Sequence, residues 1–148
     1  MIKIKIVESE DEARECFRIR EEVFVVEQRV PIDMERNEYD GAALHFLVQE
    51  DGRAIGAARV VLKENGTSAK IGRVAIVSSR RGLGLGKALI GAIETIPELA
   101  SVDNFVLEAQ THALQFYERM GYEAYGEEFL DAGIPHRRMK KTNRGLAE

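Results

Sequence analysis

Arg80-Arg81-Gly82-Leu83-Gly84-Leu85-Gly86-Lys87-Ala88 is the stretch on which the reading of this chain turns. It follows an apolar run with strand character, Ile71 to Val77, and it opens a helix at Lys87-Ala88-Leu89-Ile90. Glycines at 82, 84 and 86 carry no Cβ, so successive N–H groups and the positive end of the helix are free to face an anion such as a diphosphate. Arg80, Arg81 and Lys87 add fixed positive charge. Ordinary tight turns use the same residue types, so spacing has to separate the readings. A Walker-type loop needs Gly, four residues, then Gly-Lys and a hydroxyl. Here Arg81 stands in place of the first glycine and Ala88 in place of the hydroxyl. The dinucleotide pattern Gly-x-Gly-x-x-Gly ends on Lys87 when counted from Gly82 and on Leu89 when counted from Gly84, so it fails as well.

The spacing that does fit is Arg81-x-x-Gly84-x-Gly86, and a second pattern follows it. Phe105 to Gln110 reads as a strand and Thr111 to Met120 as a short helix, within which stands Phe116-Tyr117-x-x-x-Gly121-Tyr122. Both patterns, in this order, resemble the signatures of the GNAT superfamily of acyl-CoA-dependent N-acyltransferases. Further stretches are similar to its ElaA/YjcF-like branch: Arg20 to Gln28, His45-Phe46, Ile71-Gly72-Arg73-Val74-Ala75, Ala109-Gln110, and Phe129-x-x-x-Gly133-Ile134-Pro135-His136-x-x-Met139. The likeness runs from about Arg18 to Lys140.

Composition sets outer bounds. At 148 residues with 45% hydrophobic content, the chain is long enough for one domain with a real core, expected over residues 1–141, with 142–148 as a flexible tail. A net charge of −4 argues against non-specific nucleic-acid binding and suits a cationic amine. Cys16 is the single cysteine, which rules out an intramolecular disulfide and leaves a cysteine-based metal site short of ligands. A cytoplasmic setting without bound metal is the expectation. Ile2, Ile4 and Ile6 alternate with Lys3 and Lys5, so the N-terminus reads as a strand and not as a secretion signal. No segment approaches membrane-spanning length.

Period and punctuation give the map. After a strand at 2–7, Ser9 and Glu12 form a capping box for a helix from Glu10 to about Gln28, with Ala13, Cys16, Phe17, Arg20, Phe24 and Glu27 along one side. A charged loop at 29–41 leads to strands at 43–50, 53–62 and 68–77. Asp51-Gly52 and Asn65-Gly66 make the hairpin turns between them. A helix at 82–96, a strand at 102–110, a helix at 111–120, and strands around 122–126 and 135–141 complete the order. This is an α+β layout, a mixed, mostly antiparallel sheet with helices on both faces.

The resemblance implies a V-shaped split between strands 4 and 5, here 68–77 and 102–110, into which coenzyme A enters. Parted strands leave N–H and C=O groups without partners, and the amides of pantetheine can supply them. Main-chain atoms near Val74, Ile76 and Val77 are expected to hold pantetheine, with an N–H near Val74 or Ala75 polarising the thioester carbonyl. Arg81, Gly82, Leu83, Gly84, Leu85, Gly86 and Lys87 would hold the pyrophosphate.

The chemistry asks for a neutral amine, a stabilised oxyanion and a proton for the leaving thiolate. An alkyl ammonium has a pKa of about 10, so roughly one molecule in a thousand is free amine at neutral pH. The superfamily often places a glutamate on the fourth strand, but this chain has Gly72 and Arg73 there. Glu108 and Gln110 share a face of their strand and are the local substitutes. Two readings of Glu108 stand side by side, a catalytic carboxylate and a buried partner for Arg59 or Arg73. Glu27, His45 and His136 are further candidates for proton removal through water or for orienting substrate, against the plainer reading of a hydrogen-bonded histidine at a strand end. Tyr117 is the candidate donor to the thiolate, set against a role with Phe116 and Tyr122 as core aromatics.

Phe24, Glu27, Gln28, His45, Arg73, Gln110 and His136 are the candidate acceptor-binding residues. Asp33, Glu35, Glu38 and Asp40 form an acidic run that either attracts an ammonium or is a solvated loop. The function implied is acetyl-CoA-dependent acetyl transfer to a primary amine of a small molecule or peptide. A non-catalytic acyl-CoA-binding module is the alternative, since the fourth-strand glutamate is missing. A strand edge at Pro135 to Lys141 is available for pairing in a homodimer.

Overall fold

The computed structural model describes residues 1–143. Ile2–Ile6 forms β1 and Glu10–Arg20 forms α1. The Ser9 hydroxyl caps α1 by accepting from Glu12 N–H, while the Glu12 carboxylate reaches back to Glu8 N–H at 2.8 Å, one residue short of the reciprocal box. The expected single helix to Gln28 does not persist. From Glu21 to Glu27 it loosens into a π-helix, with Gln28 N–H bonded to Val23 C=O at 3.2 Å. The charged loop then carries a four-residue α2, Ile32–Glu35, and a 3₁₀ turn, Glu38–Gly41.

β2 (Leu44–Glu50), β3 (Arg53–Lys63) and β4 (Ser68–Ile76) follow as a meander. Both residues of each turn dipeptide have positive φ: 50° and 84° at Asp51-Gly52, 58° and 84° at Asn65-Gly66. α3 (Leu85–Thr95), β5 (Asn104–Gln110), a 3₁₀ turn at Thr111–Ala113, α4 (Leu114–Glu118), β6 (Glu123–Asp131) and β7 (Ile134–Thr142) complete the order. The sheet has seven strands in the order β1-β2-β3-β4-β5-β7-β6, antiparallel throughout except between β4 and β5.

Helices cover both faces because side chains alternate along the strands. Leu47, Ala57 and Ala75 pack on Cys16, Ile19 and Val23 of the first helical segment. Their neighbours Phe46, Val48 and Ala58 join Leu89, Ile90 and Ile93 of α3 on the other face. No helix of the described residues is long and apolar enough to cross a membrane.

Three expectations at the C-terminal end need correction. β7 is not an edge: it lies between β5 and β6, so the strand at Pro135 to Lys141 has no free side for a second subunit. β6 is the edge instead, and Glu123, Glu127, Glu128 and Asp131 charge it against pairing. β6 also runs past Gly126 to Asp131, because the hairpin turns at Ala132-Gly133 with φ of 52° and 77°. An alanine at positive φ leaves little sequence signal. Thr142 ends β7, and Asn143 is buried with its amide donating to Val102 C=O at 2.8 Å, so neither belongs to a tail. The rest of the expected tail, 144–148, lies outside the described residues.

Candidate active site

The β4–β5 ladder is short. It pairs Ser68 with Asn104 through Ile71 with Leu107 and then stops, while β5 continues its pairing with β7 as far as Gln110 opposite His136. A bulge in β4 helps to part the strands. Ala57 faces Ala75 and Arg59 faces Gly72, so Arg73 and Val74 together stand opposite Ala58. Arg73 takes φ 51°, a left-handed conformation costing a side-chain-bearing residue about 1–2 kcal/mol. Bulges bend a strand and re-aim a side chain, and both happen here.

The split opens into a cavity of about 290 Å³. From the first helical segment, Phe24 and Gln28 face it. From β4 come Gly72, Arg73 and Val74, from β5 Glu108 and Gln110, and from the C-terminal elements Tyr117 and His136. The π-helix therefore brings Phe24 and Gln28 to one wall, and π-helical turns recur where a helix serves a site. Gln110 Nε2 donates to Gln28 Oε1 at 2.9 Å, joining two walls 82 positions apart.

His136 is buried, its ring stacked near Phe129 at 5.8 Å between centroids. The Ile134 carbonyl lies 2.7 Å from its Nδ1. A carbonyl can only accept, so the proton of a neutral ring sits on Nδ1 and Nε2 carries a lone pair at the cavity wall. Tyr117 packs edge-on against Phe116 and Tyr122, and burial pushes its phenol up to about 12. It is thus a neutral O–H donor across the physiological range, and a weaker acid than an unperturbed phenol.

Other expected residues sit elsewhere. His45 does not line the cavity: its Nε2 donates to Asp40 C=O at 2.9 Å and its ring lies against Phe17. Glu27 is also outside the cavity, paired with Arg81. Glu108 faces the cavity, but its ion-pair partner is Lys70 at 3.4 Å and neither Arg59 nor Arg73. Val77 N–H is taken by Ile55 C=O at 3.0 Å, and Ile76 C=O receives Arg81 Nε at 2.9 Å. Those contacts occupy Val77 N–H and one lone pair of Ile76 C=O, and of the expected β4 trio Val74 is the member that lines the cavity.

The acidic run divides: Asp33 and Glu38 are exposed, while Glu35 and Asp40 are taken up in ion pairs. Glu35 is 2% exposed and receives Arg20 Nε at 2.7 Å, with Arg73 Nε at 3.3 Å. Asp40 receives Arg20 Nη1 at 2.9 Å and Arg59 Nη1 at 3.1 Å. Burial alone would raise the Asp40 carboxyl; bonds from Arg20, the Asn37 N–H and Arg59 overcome it and hold the group at about 2. Sequence reasoning missed this cluster. The available signal was Arg20 itself, a charge on the apolar stripe of a helix, which demands a buried partner.

On the far side of the split, Gly82 and Gly84 have φ of 80° and 78°, and a Cβ at either would meet nothing within 4 Å. Gly84 is the N-cap of α3. Among the described residues, no backbone hydrogen bond uses the N–H groups of residues 82–87; the first turn of α3 begins its bonding with Ala88 N–H to Gly84 C=O at 3.0 Å. Such unmet donors at a helix start, with no side chain above them, suit a phosphate-bearing ligand. The loop's cations differ in their freedom. Arg80 pairs with Glu50 at 2.6 Å and Arg81 with Glu27, while Lys87 is exposed. Among the described residues, no group of three or more His, Cys, Asp or Glu is arranged to hold a metal.

A sheet split along its one parallel pair, beside a glycine loop that opens a helix, is the architecture of an acyltransferase that uses acyl-coenzyme A. The chain belongs to the acetyltransferase (GNAT) domain family, whose model matches residues 6–143. It is 37% identical over 141 residues to the uncharacterized N-acetyltransferase YjcF of Bacillus subtilis (strain 168), covering 95% of this chain and 99% of that protein. The crystal structure of Escherichia coli ElaA superimposes with a TM-score of 0.84 at 26% identity, covering 95% of this chain and 99% of that one. An acyl-CoA N-acyltransferase from Pseudomonas aeruginosa gives 0.83 at 31% identity, covering 95% and 98%. These likenesses extend to the ElaA/YjcF-like branch, and the chain is an acyltransferase.

Proposed function

We propose that the protein transfers an acetyl group from acetyl-CoA to a primary amine of a small molecule or peptide by direct attack, within a single domain working in the cytoplasm. The observation that carries this reading is the β4–β5 split, which joins parted strand edges to a cavity walled by a lone-pair histidine nitrogen and a neutral phenol.

The residues fit coenzyme A. The open N–H groups of 82–87, with Lys87 beside them, would hold its pyrophosphate, and main-chain atoms of β4 near Val74 its pantetheine. Bound there, coenzyme A supplies the thioester. An N–H near Val74 or Ala75 would stabilise charge on the carbonyl oxygen.

The chain's own groups then manage protons. His136 Nε2 takes the proton from the acceptor's ammonium, directly or through one water, a task for which a neutral imidazole is suited. Tyr117 O–H donates to the departing sulfur, and its buried setting keeps it protonated until needed. Glu108, held by Lys70, and Gln110, held against Gln28, orient the amine. Phe24 forms the apolar part of the acceptor wall.

Free-thiol release from acetyl-CoA against a panel of polyamines, arylalkyl amines, aminoglycosides, amino acids and peptides tests this, with calorimetric acetyl-CoA binding alongside. Amine-dependent thiol release is the expected result. Binding without turnover across the panel would overturn amine transfer, and absence of binding would overturn the glycine-loop assignment.

A further inference from the structure

We propose that the acceptor carries a carboxylate beside its amine, and that the cavity-facing edge of Arg73 receives it. This rests on the cavity being the acceptor site. In the wall behind the bulge, three guanidiniums, Arg20, Arg59 and Arg73, share two carboxylates, Glu35 and Asp40. Buried charge without a partner is costly, so the location of the surplus is informative. Arg20 is 1% exposed and satisfied: Nε and Nη2 reach Glu35 Oε2 and C=O at 2.7 and 3.0 Å, and Nη1 reaches Asp40 at 2.9 Å. Arg59 spends Nη1 on Asn37 and Asp40, while its buried Nε meets no partner. Arg73 engages Glu35 C=O at 3.0 Å through Nε and Met34 C=O at 3.3 Å through Nη2, and it reaches Glu35 Oε2 at 3.3 Å, an oxygen that Arg20 already holds at 2.7 Å. Its contacts are mostly to carbonyl oxygens, which accept hydrogen bonds but carry no neutralising charge.

Both under-compensated arginines, Arg59 and Arg73, line the cavity. Arg73 has the more accessible side chain, 23% exposed against 8% for Arg59. Burial, then the like charges of Arg59 and Arg20, disfavour the cationic form of Arg73, and Glu35 and Asp40 offset only part of that. A guanidinium does not discharge in a protein, so what remains is an electrostatic demand for an anion. A carboxylate meets it, since its two oxygens match the planar donor fork. Lys70 also lines the cavity but is paired with Glu108, and the remaining wall groups suit the opposite end of such a molecule. Glu108, although held by Lys70, and Asp131 offer negative charge for an ammonium, and His136 Nε2 offers a proton acceptor. The acceptor class is therefore an amino carboxylic acid, in preference to a polyamine.

Calorimetry on the coenzyme A-loaded protein separates this from the transferase reading itself. The probes are matched products: N-acetylleucine against N-isoamylacetamide, and N-acetylphenylalanine against N-phenethylacetamide. We expect each acid to bind at least tenfold tighter than its uncharged partner, Arg73→Gln to erase that margin with coenzyme A affinity retained, and Arg73→Lys to keep part of it. Equal binding of the two members of each pair by the unaltered protein overturns the proposal, whether or not the variants fold, and so does a margin that survives in Arg73→Gln. Thiol release with leucine and phenylalanine against isoamylamine and phenethylamine then reads transfer separately. An acid preference in binding with no thiol release overturns amine transfer but not the Arg73 site; release without acid preference does the reverse.

Discussion

Arg81 closes on Glu27 with both guanidinium arms, Nη1 and Nη2 lying 2.9 and 2.8 Å from the two carboxylate oxygens, across 54 positions of sequence. This pair ties the glycine loop to the end of the π-helix, so the walls expected to take coenzyme A and acceptor are fastened to one another. The arginine of the signature is thus spent on a carboxylate and on Ile76 C=O, and part of its charge is already neutralised. Glu27→Gln should tighten acetyl-CoA binding by a few fold and steepen its salt dependence. The pair is partly exposed, so thermal stability should fall by no more than about 1 kcal/mol. Calorimetry at two ionic strengths checks this; weaker binding would mean that the pair acts by shaping the loop.

Gly84→Glu should reduce acetyl-CoA affinity at least a hundredfold. A Cβ at this position meets nothing within 4 Å, so the folded chain has room for the side chain. The fold pays only the cost of φ 78° in a residue with a side chain, about 1–2 kcal/mol. The carboxylate, however, would stand over N–H groups suited to an anion. A folded variant with unchanged affinity removes the loop from coenzyme A binding.

Why the loop and the turns were legible and the acceptor wall was not follows from distance along the chain. The cradle at 82–87 and the dipeptides Asp51-Gly52 and Asn65-Gly66 each encode their conformation within a few residues. Glu35 reads as one of four exposed acids until Arg20 and Arg73, 15 and 38 positions away, are seen to engage it. The π-helix leaves Glu21 to Glu27 with an ordinary helical composition, and its register changes only where Val23 C=O meets Gln28 N–H. The placement of β7 inside the sheet depends on which neighbour captures it, and nothing local in Pro135 to Lys141 states that. The tautomer of His136 needs the Ile134 carbonyl, only two positions away, yet visible only once the strand has formed.

Acid should expose the buried cluster. Asp40 is held at about 2 in the fold against 3.8 for the free side chain, so it binds its proton more readily when unfolded. The stability it contributes is complete above about pH 4 and is lost as the pH falls through 2. At neutral pH, Asp40→Asn leaves Arg20 and Arg59 short of a counter-charge and should cost about 3 kcal/mol. The gap between the two proteins in denaturant titrations should narrow below pH 4, and a constant gap would show that the charge of Asp40 is not what matters.

Tyr117→Phe should slow the chemical step by tenfold to a hundredfold with acetyl-CoA affinity unchanged. Its ring packs edge-on against Phe116 and Tyr122, and phenylalanine preserves both contacts. Because burial lifts the phenol to about 12, its ionisation should produce no alkaline fall in rate below about pH 11. Single-turnover thiol release reads the step directly, and an unaltered rate excludes Tyr117 as the proton donor.

His136→Asn tests proton removal at the other end of the reaction. Asparagine can still offer an N–H toward Ile134 C=O, as Nδ1 does at 2.7 Å, but it has nothing in place of the Nε2 lone pair. At neutral pH the variant should lose a factor of about a hundred in the chemical step, the scale of a positioned base. The loss should shrink as the pH rises toward about 10, where an alkyl amine sheds its proton unaided. A structural histidine gives a different pattern, a defect independent of pH or accompanied by weaker acetyl-CoA binding. The ratio of unaltered to variant rate, followed from pH 7 to 10 with one amine acceptor, therefore decides between a base and a packing residue: a falling ratio assigns proton removal to His136, and a flat one takes it away.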